Sequence, residues 1–140
     1  MPARFFLDTN VFTYSFDQRS PAKQKRAQAL IGQALEEGAG CISFQVIQEF
    51  LNVALRKFER PFSVSECHLY LDKVLHPLCE VFPSLSLYHR ALELKEETDF
   101  GFYDCLVVAS ALDGDCQVLY SEDLQDGRRI AHRLTIRNPF

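Results

Sequence analysis

The sequence lacks any apolar run long enough to cross a bilayer, and its first residues lack the basic-then-apolar pattern of a signal peptide. A transmembrane helix needs about 20 consecutive apolar residues, whereas Asp8 and Asn10 interrupt the apolar run near the start of this chain. We therefore expect a cytoplasmic protein that does not associate with membranes.

Cysteine and histidine patterns that bind zinc are also missing. The five cysteines are widely spaced and include no Cys-x-x-Cys pair, which argues against both a disulfide framework and a zinc site. The four histidines have no metal-ligand spacing either. We therefore expect the histidines to be surface or packing residues and most cysteines to be small buried hydrophobic residues.

The charge balance does not by itself indicate a nucleic-acid-binding protein, because the formal net charge is -4. The charges are nevertheless uneven along the chain. Residues 128–137 contain no acid and carry these basic side chains: Arg128, Arg129, His132, Arg133 and Arg137. A run of this kind is usually a solvated surface, and it is also a candidate contact for a phosphate backbone.

The residues that are present predict an α/β fold. At 140 residues, with 47% hydrophobic and 24% charged residues, we expect one domain, residues 1–140, with a substantial core. The predicted strands are 5–7, 41–43, 79–82, 117–120 and a last edge strand at 134–136. The predicted helices are 10–16, 20–37, 44–58, 63–76, 84–98 and 105–112, with a short helix or loop after 124. This alternation predicts a mostly parallel sheet with helices on both faces.

The stretch from Arg4 to Val11 is the most informative part of the chain. Phe5 to Leu7 predict a strand buried on both faces, and Asp8 follows it directly. Ligands of open α/β sheets bind at the carboxyl ends of the strands, which places Asp8 at a functional edge. A simpler interpretation is that Asp8 or Thr9 caps the next helix.

Three further acids lie at or near the same edge of the predicted sheet. Glu49 lies about one and a half turns into the helix that leaves the second strand, Asp104 opens a very apolar helix, and Asp123 follows a later strand. Each has an ordinary interpretation as well. Glu49 can belong to a solvated polar stripe, Asp104 can be a helix cap, and Asp123 can be a turn residue.

Asp123 has two acidic rivals nearby, Glu122 and Asp126. Asp104 shares its helix face with apolar residues, so we expect its carboxylate to lose contact with water. Carboxylates that meet at one edge repel each other unless some are protonated or a hard cation neutralises them. Carboxylate oxygens suit Mg²⁺ or Mn²⁺, ions that also bind phosphate oxygens.

With these four acids in order, the sequence resembles the PIN domain family, and most of all the VapC-type toxins of bacterial toxin–antitoxin pairs. The matching stretches cover 6–11, 42–50, 103–111 and 119–124, which read FLDTNV, ISFQVIQEF, YDCLVVASA and LYSEDL. Together they span almost the whole chain in the order of the family.

The resemblance implies a three-layer α/β/α sandwich and a divalent-metal endoribonuclease with Mg²⁺ or Mn²⁺ as cofactor. By motif position it implies four acidic ligands that are also the catalytic residues: Asp8, Glu49, Asp104 and Asp123. It implies supporting polar roles for Asn10, Thr9 and Ser121. It further implies an RNA substrate, a cognate antitoxin protein as partner, and a homodimer.

The mechanism that these residues suggest is hydrolysis of an RNA phosphodiester by a metal-activated water at the acidic site, with no covalent nucleophile. In this hypothesis Asp8 and Asp104 hold the ion, and Glu49 and Asp123 complete the site. Arg128, Arg129 and Arg133 are candidate contacts for the RNA backbone.

Two alternatives from other functional classes remain. One is an aspartate-dependent phosphatase or phosphotransfer domain, in which Asp8 attacks phosphorus itself. The Asp-x-Asp pattern of that class is not matched here, because Asn10 stands at the third position. The other is an inactive PIN-like module that binds RNA without cleaving it.

Overall fold

The computed structural model describes residues 3–140 and is built around a six-stranded sheet. The strands are β1 (Phe5–Leu7), β2 (Gly40–Ser43), β3 (Cys79–Val81), β4 (Val118–Tyr120), β5 (Arg129–Ile130) and β6 (Leu134–Arg137). Their order in the sheet is β3-β2-β1-β4-β6-β5. β1 therefore lies inside the sheet, with β2 and β4 as its parallel neighbours.

All pairings are parallel except the last, in which β5 runs antiparallel to β6. Phe5 of β1 is aligned with Gly40 of β2 and with Val118 of β4. The carboxyl ends of β1, β2 and β4 consequently meet at one edge of the sheet.

Helices connect the strands and cover the sheet in two groups. They are α1 (Thr9–Tyr14), α2 (Pro21–Glu37), α3 (Phe44–Arg56), α4 (Val64–Tyr70), α5 (His76–Leu78), α6 (Leu85–Glu97) and α7 (Phe102–Asp113), with a π-helical turn at Leu71–Leu75 between α4 and α5. α1 contacts α2 and α3, while α6 packs against α7. This arrangement confirms the predicted α/β class with a central, mostly parallel sheet.

The core is continuous through the sheet and its most apolar helix. All three residues of β1 are buried, and every residue of α7 from Cys105 to Leu112 is buried as well. Strands buried on both faces are typical of parallel sheets covered by helices. α7 contacts β2 and β4, and its C-terminal end leads into the start of β4. Its first turn therefore lies toward the opposite, carboxyl edge of the sheet.

Three features of the predicted C-terminal half need correction. α7 begins at Phe102 with Gly101 as its N-cap, so Asp104 lies inside the first turn and does not open the helix. β6 lies between β4 and β5 and is not an edge strand. The edge strand next to β6 is β5, which falls in the segment predicted as a short helix or loop.

The β5–β6 connection explains why this strand was missed. Ala131 and His132 both have positive φ, at 54° and 58°, in a conformation for which glycine, asparagine and aspartate are preferred. Alanine and histidine, the residues found here, do not signal a hairpin turn in a sequence. The antiparallel pairing of Ile130 with Leu134 closes the turn.

No helix among residues 3–140 combines the length and the apolar character that crossing a membrane requires.

Candidate active site

Asp8 lies at the junction of β1 and α1 and is the N-cap of that helix. One carboxylate oxygen accepts a hydrogen bond from the Thr9 backbone N–H at 2.8 Å, and the other accepts one from the Ser121 hydroxyl at 2.8 Å. The Asp8 backbone N–H donates to the Tyr120 carbonyl of β4 at 3.0 Å. The carboxylate is thus held between the ends of two neighbouring strands.

The electrostatic environment of Asp8 is unusual for an aspartate. The residue is 7% exposed, and its burial is the main cause that raises its pKa from 3.8 to about 6. The bonds from Ser121 and Thr9 act in the opposite direction, and the neighbouring charges of Glu49 and Asp123 raise the pKa further. Metal-free Asp8 is therefore a carboxylate whose charge is poorly compensated.

Glu49 of α3 is held beside Asp8 by a hydrogen bond from Thr9, the first residue of α1. The Thr9 hydroxyl donates to Glu49 Oε1 at 3.1 Å, so α3 is tied to the residue that follows Asp8. Glu49 is exposed as a residue, but its carboxyl group faces the site, and partial desolvation raises its pKa. The charges of Asp104 and Asp123 act in the same direction.

Asp123 is connected to the same site through two polar residues. Its Oδ2 accepts a hydrogen bond from Asn10 Nδ2 at 3.2 Å, and its backbone N–H donates to Ser121 Oγ at 3.2 Å. Ser121 is fully buried, and its hydroxyl forms hydrogen bonds with both the Asp8 carboxylate and the Asp123 backbone N–H. The structure therefore brings Asn10, Ser121 and Thr9 into direct contact with the predicted acids.

Asp104 reaches the site from the first turn of α7. It is half-buried, and desolvation is the main cause that raises its pKa, followed by the charge of Asp123. The predicted burial is therefore real but partial, and Asp8 is the more deeply buried of the two. An acid at this position also gains from the dipole at the N-terminus of the helix.

The two acidic rivals of Asp123 are engaged elsewhere. Glu122 forms an ion pair with Lys23 of α2 that lowers the pKa of the Glu122 carboxyl. Asp126 Oδ1 accepts a hydrogen bond from the Asn138 backbone N–H at 2.8 Å. Among the three acids of this segment, the structure thus brings Asp123 to Asp8.

The three predicted RNA-contacting arginines are not grouped. Arg128 lies near the start of α7, where it pairs with Asp99 at 3.3 Å and stacks over Phe100 with its Cζ 4.7 Å from the ring centroid. Arg129 donates to the His132 carbonyl within the β5–β6 turn.

Arg133 precedes β6 and donates to the carbonyl of Leu112, near the C-terminal end of α7. Asp104 lies in the first turn of the same helix, so Arg133 is at the end of α7 away from the acids. The structure does not bring Arg133 to the acidic site.

Two polar residues near the site did not stand out in the sequence. Ser43 ends β2, is fully buried, and its Oγ has no hydrogen-bond partner. Gln45 is buried in the first turn of α3, and its side chain lowers the pKa of the Glu49 carboxyl, against the effect of burial. The signal that could have identified them is their position at a strand-to-helix junction, where Ser43 is the N-cap of α3 and Gln45 lies one turn before Glu49.

The chemistry of this donor set fits a hard divalent cation. Within residues 3–140, no three His, Cys, Asp or Glu side chains form a ready-made coordination shell. Mg²⁺ does not require one, because it keeps several waters and binds through one or two carboxylates. The buried Oδ1 of Asn10, which has no partner, is a further oxygen donor beside Asp123.

A comparison with protein families gives one match that covers most of the chain. The model of the family described as "PIN domain" matches residues 5–132. These residues include all four acids of the site. No curated protein sequence matches the chain.

Solved structures with the same fold include three toxin–antitoxin proteins. A toxin–antitoxin complex from Klebsiella pneumoniae has a TM-score of 0.65 at 20% identity, with 96% of this chain and 97% of that chain covered. VapBC2 from Rickettsia felis, bound to a DNA fragment of its promoter, has a TM-score of 0.61 at 18% identity, with 96% and 98% covered. VapC20 from Mycobacterium tuberculosis, a toxin that cleaves the sarcin–ricin loop, has a TM-score of 0.60 at 18% identity, with 85% and 89% covered. At these identities the likeness is one of fold.

Proposed function

The chain belongs to the PIN domain family, and from that membership and the geometry of the acidic site we propose that it is a divalent-metal-dependent endoribonuclease and the toxin of a toxin–antitoxin pair. The observation that carries the proposal is the buried Asp8 carboxylate, whose pKa is raised by burial and by the neighbouring Glu49 and Asp123. A site of this kind gains free energy when a cation enters it. Similarity of fold to VapC20, which cleaves RNA of the sarcin–ricin loop, favours RNA as substrate.

Each residue of the site has a definable task in this proposal. Asp8 and Asp104 would hold Mg²⁺ or Mn²⁺, and Glu49 and Asp123 would complete the site directly or through water. When bound, the cation supplies Lewis acidity at the phosphodiester and offsets the negative charge that develops during hydrolysis.

The polar residues of the site orient these acids. Ser121 fixes Asp8 and the backbone of Asp123, Thr9 orients Glu49, and Asn10 orients the Asp123 side chain. Because these hydrogen bonds hold the acids in place before a substrate arrives, little reorganisation is needed during the reaction.

The deciding experiment is incubation of the purified protein with structured RNAs in Mg²⁺, in Mn²⁺ and in excess chelator. We expect cleavage with either ion and none in chelator. Asp104→Asn should lower kcat by at least about 100-fold while the circular dichroism spectrum is unchanged, because charge at the site is lost without loss of packing.

The matched control is Glu122→Gln, which neutralises an acid next to Asp123 that is paired with Lys23 outside the cluster. It should cleave at close to the wild-type rate. Cleavage that persists in chelator would reject the metal mechanism. A phosphorylated protein intermediate that disappears in Asp8→Asn would instead support the phosphatase alternative.

The partner proposals follow from the toxin–antitoxin proteins that share this fold. We propose that a small antitoxin protein neutralises the nuclease and that the chain forms a homodimer. Expression in a bacterial host should arrest growth unless the product of a neighbouring short reading frame is expressed with it. Light scattering should give twice the chain mass of 16.1 kDa, and a monomeric mass at micromolar concentration would refute the dimer.

A further inference from the structure

Two aromatic side chains lie exposed immediately before Asp104. Phe102 and Tyr103 occupy the first two positions of α7, and they are 39% and 71% exposed. From Cys105 onwards the same helix is buried at every position through Leu112. The start of α7 therefore presents apolar surface to solvent, although the rest of the helix belongs to the core.

The two rings pack against each other, and most of the Tyr103 side chain stays exposed. Their centroids are 5.6 Å apart and their planes meet at 72°, which is an edge-to-face arrangement. Phe102 is the less exposed partner, so it braces Tyr103 from the protein side. A single exposed aromatic residue is ordinary, whereas a braced pair provides a defined surface of the kind that stacking requires.

This aromatic pair borders the acidic site. A Cβ atom placed on Gly101, the N-cap of α7, would lie 3.9 Å from Asp104 Oδ2. The Asp104 carboxylate therefore folds back over the same turn that carries the two rings. Tyr103, the residue directly before Asp104, is therefore an exposed ring on the same helical turn as an acid of the site.

The electrostatics of the site favour a contact that does not depend on charge. The chain has a net charge of -4, and the nearby cation, Arg128, is already paired with Asp99 and stacked on Phe100. Arg128 is therefore already engaged within the protein and is not free to pair with a phosphate at this edge. Bases that stack on aromatic rings supply roughly a 5- to 150-fold gain in affinity each, independent of charge.

We propose that Tyr103, braced by Phe102, is a stacking platform for an unpaired base of the RNA next to the phosphodiester that is cleaved. The inference rests on the proposed nuclease function and names its preferred substrate as RNA with an unstacked nucleotide. Paired bases of an A-form helix do not present a free ring face to the protein, whereas bases in loops, bulges and ends do.

The experiment measures RNA binding without cleavage. The probe is a short single-stranded RNA with 2-aminopurine at one position, bound in excess chelator, with the same sequence as a duplex for comparison. We expect the wild-type protein to bind the single strand more tightly and to change the 2-aminopurine fluorescence. Tyr103→Leu should weaken binding by roughly 5- to 150-fold and abolish the fluorescence change, while Tyr103→Phe should stay within about twofold of wild type.

The control is Tyr88→Leu, which removes a ring that is 37% exposed on α6. It should bind like wild type. Because stacking does not release counterions, Tyr103→Leu should also keep the wild-type dependence of the dissociation constant on salt. Any of three results would overturn the platform. They are equal RNA affinity of Tyr103→Leu and wild type, equal weakening by Tyr103→Phe and Tyr103→Leu, and a reduced salt dependence of the dissociation constant in Tyr103→Leu.

Failure of the platform is distinguishable from failure of the proposed function. A wild-type protein that binds the single strand and alters its fluorescence, but never cleaves RNA with Mn²⁺, would refute the nuclease, while the stacking of an unpaired base on Tyr103 would still hold. A protein that cleaves RNA with the same kcat/KM after Tyr103→Leu would refute the platform alone. If Tyr103→Leu keeps the RNA affinity of wild type but no longer binds a neutralising protein, these rings belong to the surface for that partner. This result would overturn the inference.

Discussion

The Asp8 carboxylate lies between the Thr9 N–H and the Ser121 hydroxyl, in a place from which water is largely excluded. The two hydrogen bonds favour the ionised form, while burial and the charge of Glu49 oppose it. Burial is the largest cause, so the pKa settles at about 6. Asp8 is thus the N-cap of α1, as its ordinary interpretation predicts, and it is also a buried acid with a raised pKa, while its role as a metal ligand stays a prediction.

Asp8→Asn should stabilise the metal-free protein at neutral pH. Because the pKa of Asp8 is raised on folding, from 3.8 to about 6, its favourable contribution is present below about pH 4 and is lost as the pH rises through 6. The shift corresponds to at most about 3 kcal/mol, and we expect a gain of about 1–2 kcal/mol at pH 7.5. Urea unfolding in chelator measures it, and the gain should shrink at pH 4.5.

A gain that is equal at both pH values would show that the amide packs better for reasons unrelated to charge. A loss of stability at pH 7.5 would show that the ionised carboxylate is well compensated in the folded state. Glu122→Gln is the control for the substitution itself, because pairing with Lys23 lowers the pKa of the Glu122 carboxyl. Its effect on stability should have the opposite sign.

At the scale of elements, the contact between α2 and β2 sets how the second strand enters the sheet. A Cβ atom on Gly40 would lie 2.2 Å from Ala34 Cβ and 2.9 Å from Ala34 Cα. Only glycine allows this approach, because the neighbouring atoms include the helix backbone. β2 ends at Ser43, and α3 follows it directly and carries Glu49, so the contact also helps to place an acid of the site.

Gly40→Ala should lower the free energy of unfolding by about 1–3 kcal/mol, since the added methyl group forces α2 and β2 apart. The matched control is Gly32→Ala in the middle of α2, where an added Cβ meets nothing within 4 Å. That change should raise stability by about 0.5–1 kcal/mol, because alanine is the better helix residue. Urea midpoints followed by circular dichroism compare the two, and shifts of the same sign would contradict the assignment.

At the scale of the whole molecule, the four acids arrive on separate elements that the fold alone holds together. Asp8 follows β1, Glu49 lies on α3, Asp104 on α7, and Asp123 follows β4. An ion that binds this site binds only the folded chain, because the unfolded chain scatters the acids. Metal binding and global unfolding are therefore linked.

We expect Mn²⁺ or Mg²⁺ to raise the melting temperature by roughly 5–10 °C at 100 times the dissociation constant, where linkage supplies about 2.7 kcal/mol. Differential scanning fluorimetry across a titration of each ion measures the shift. Asp8→Asn should abolish it and Glu122→Gln should retain it. An equal shift in wild type and Asp8→Asn would place the ion away from the proposed site.

The sequence alone determined the class of fold, the family and the identity of the four acids as candidates. Strand and helix periodicities are local properties of the chain, and the burial of Phe5 to Leu7 and of the α7 core follows from their continuous apolar runs. The motif order from Asp8 to Asp123 is equally a property of the chain. These features could be predicted because they depend on neighbours in sequence.

The tertiary structure decided what depends on distant partners. It separates Asp123 from Glu122 and Asp126 because Lys23 and the Asn138 backbone, both far away in sequence, engage the two rivals. It places Arg133 at the end of α7 away from the acids. It also forms β5 through a turn at Ala131 and His132, residue types that do not predict a turn. It also leaves Tyr103 exposed beside Asp104. Apolar composition predicts burial, and only the packed molecule shows which rings find no place in the core.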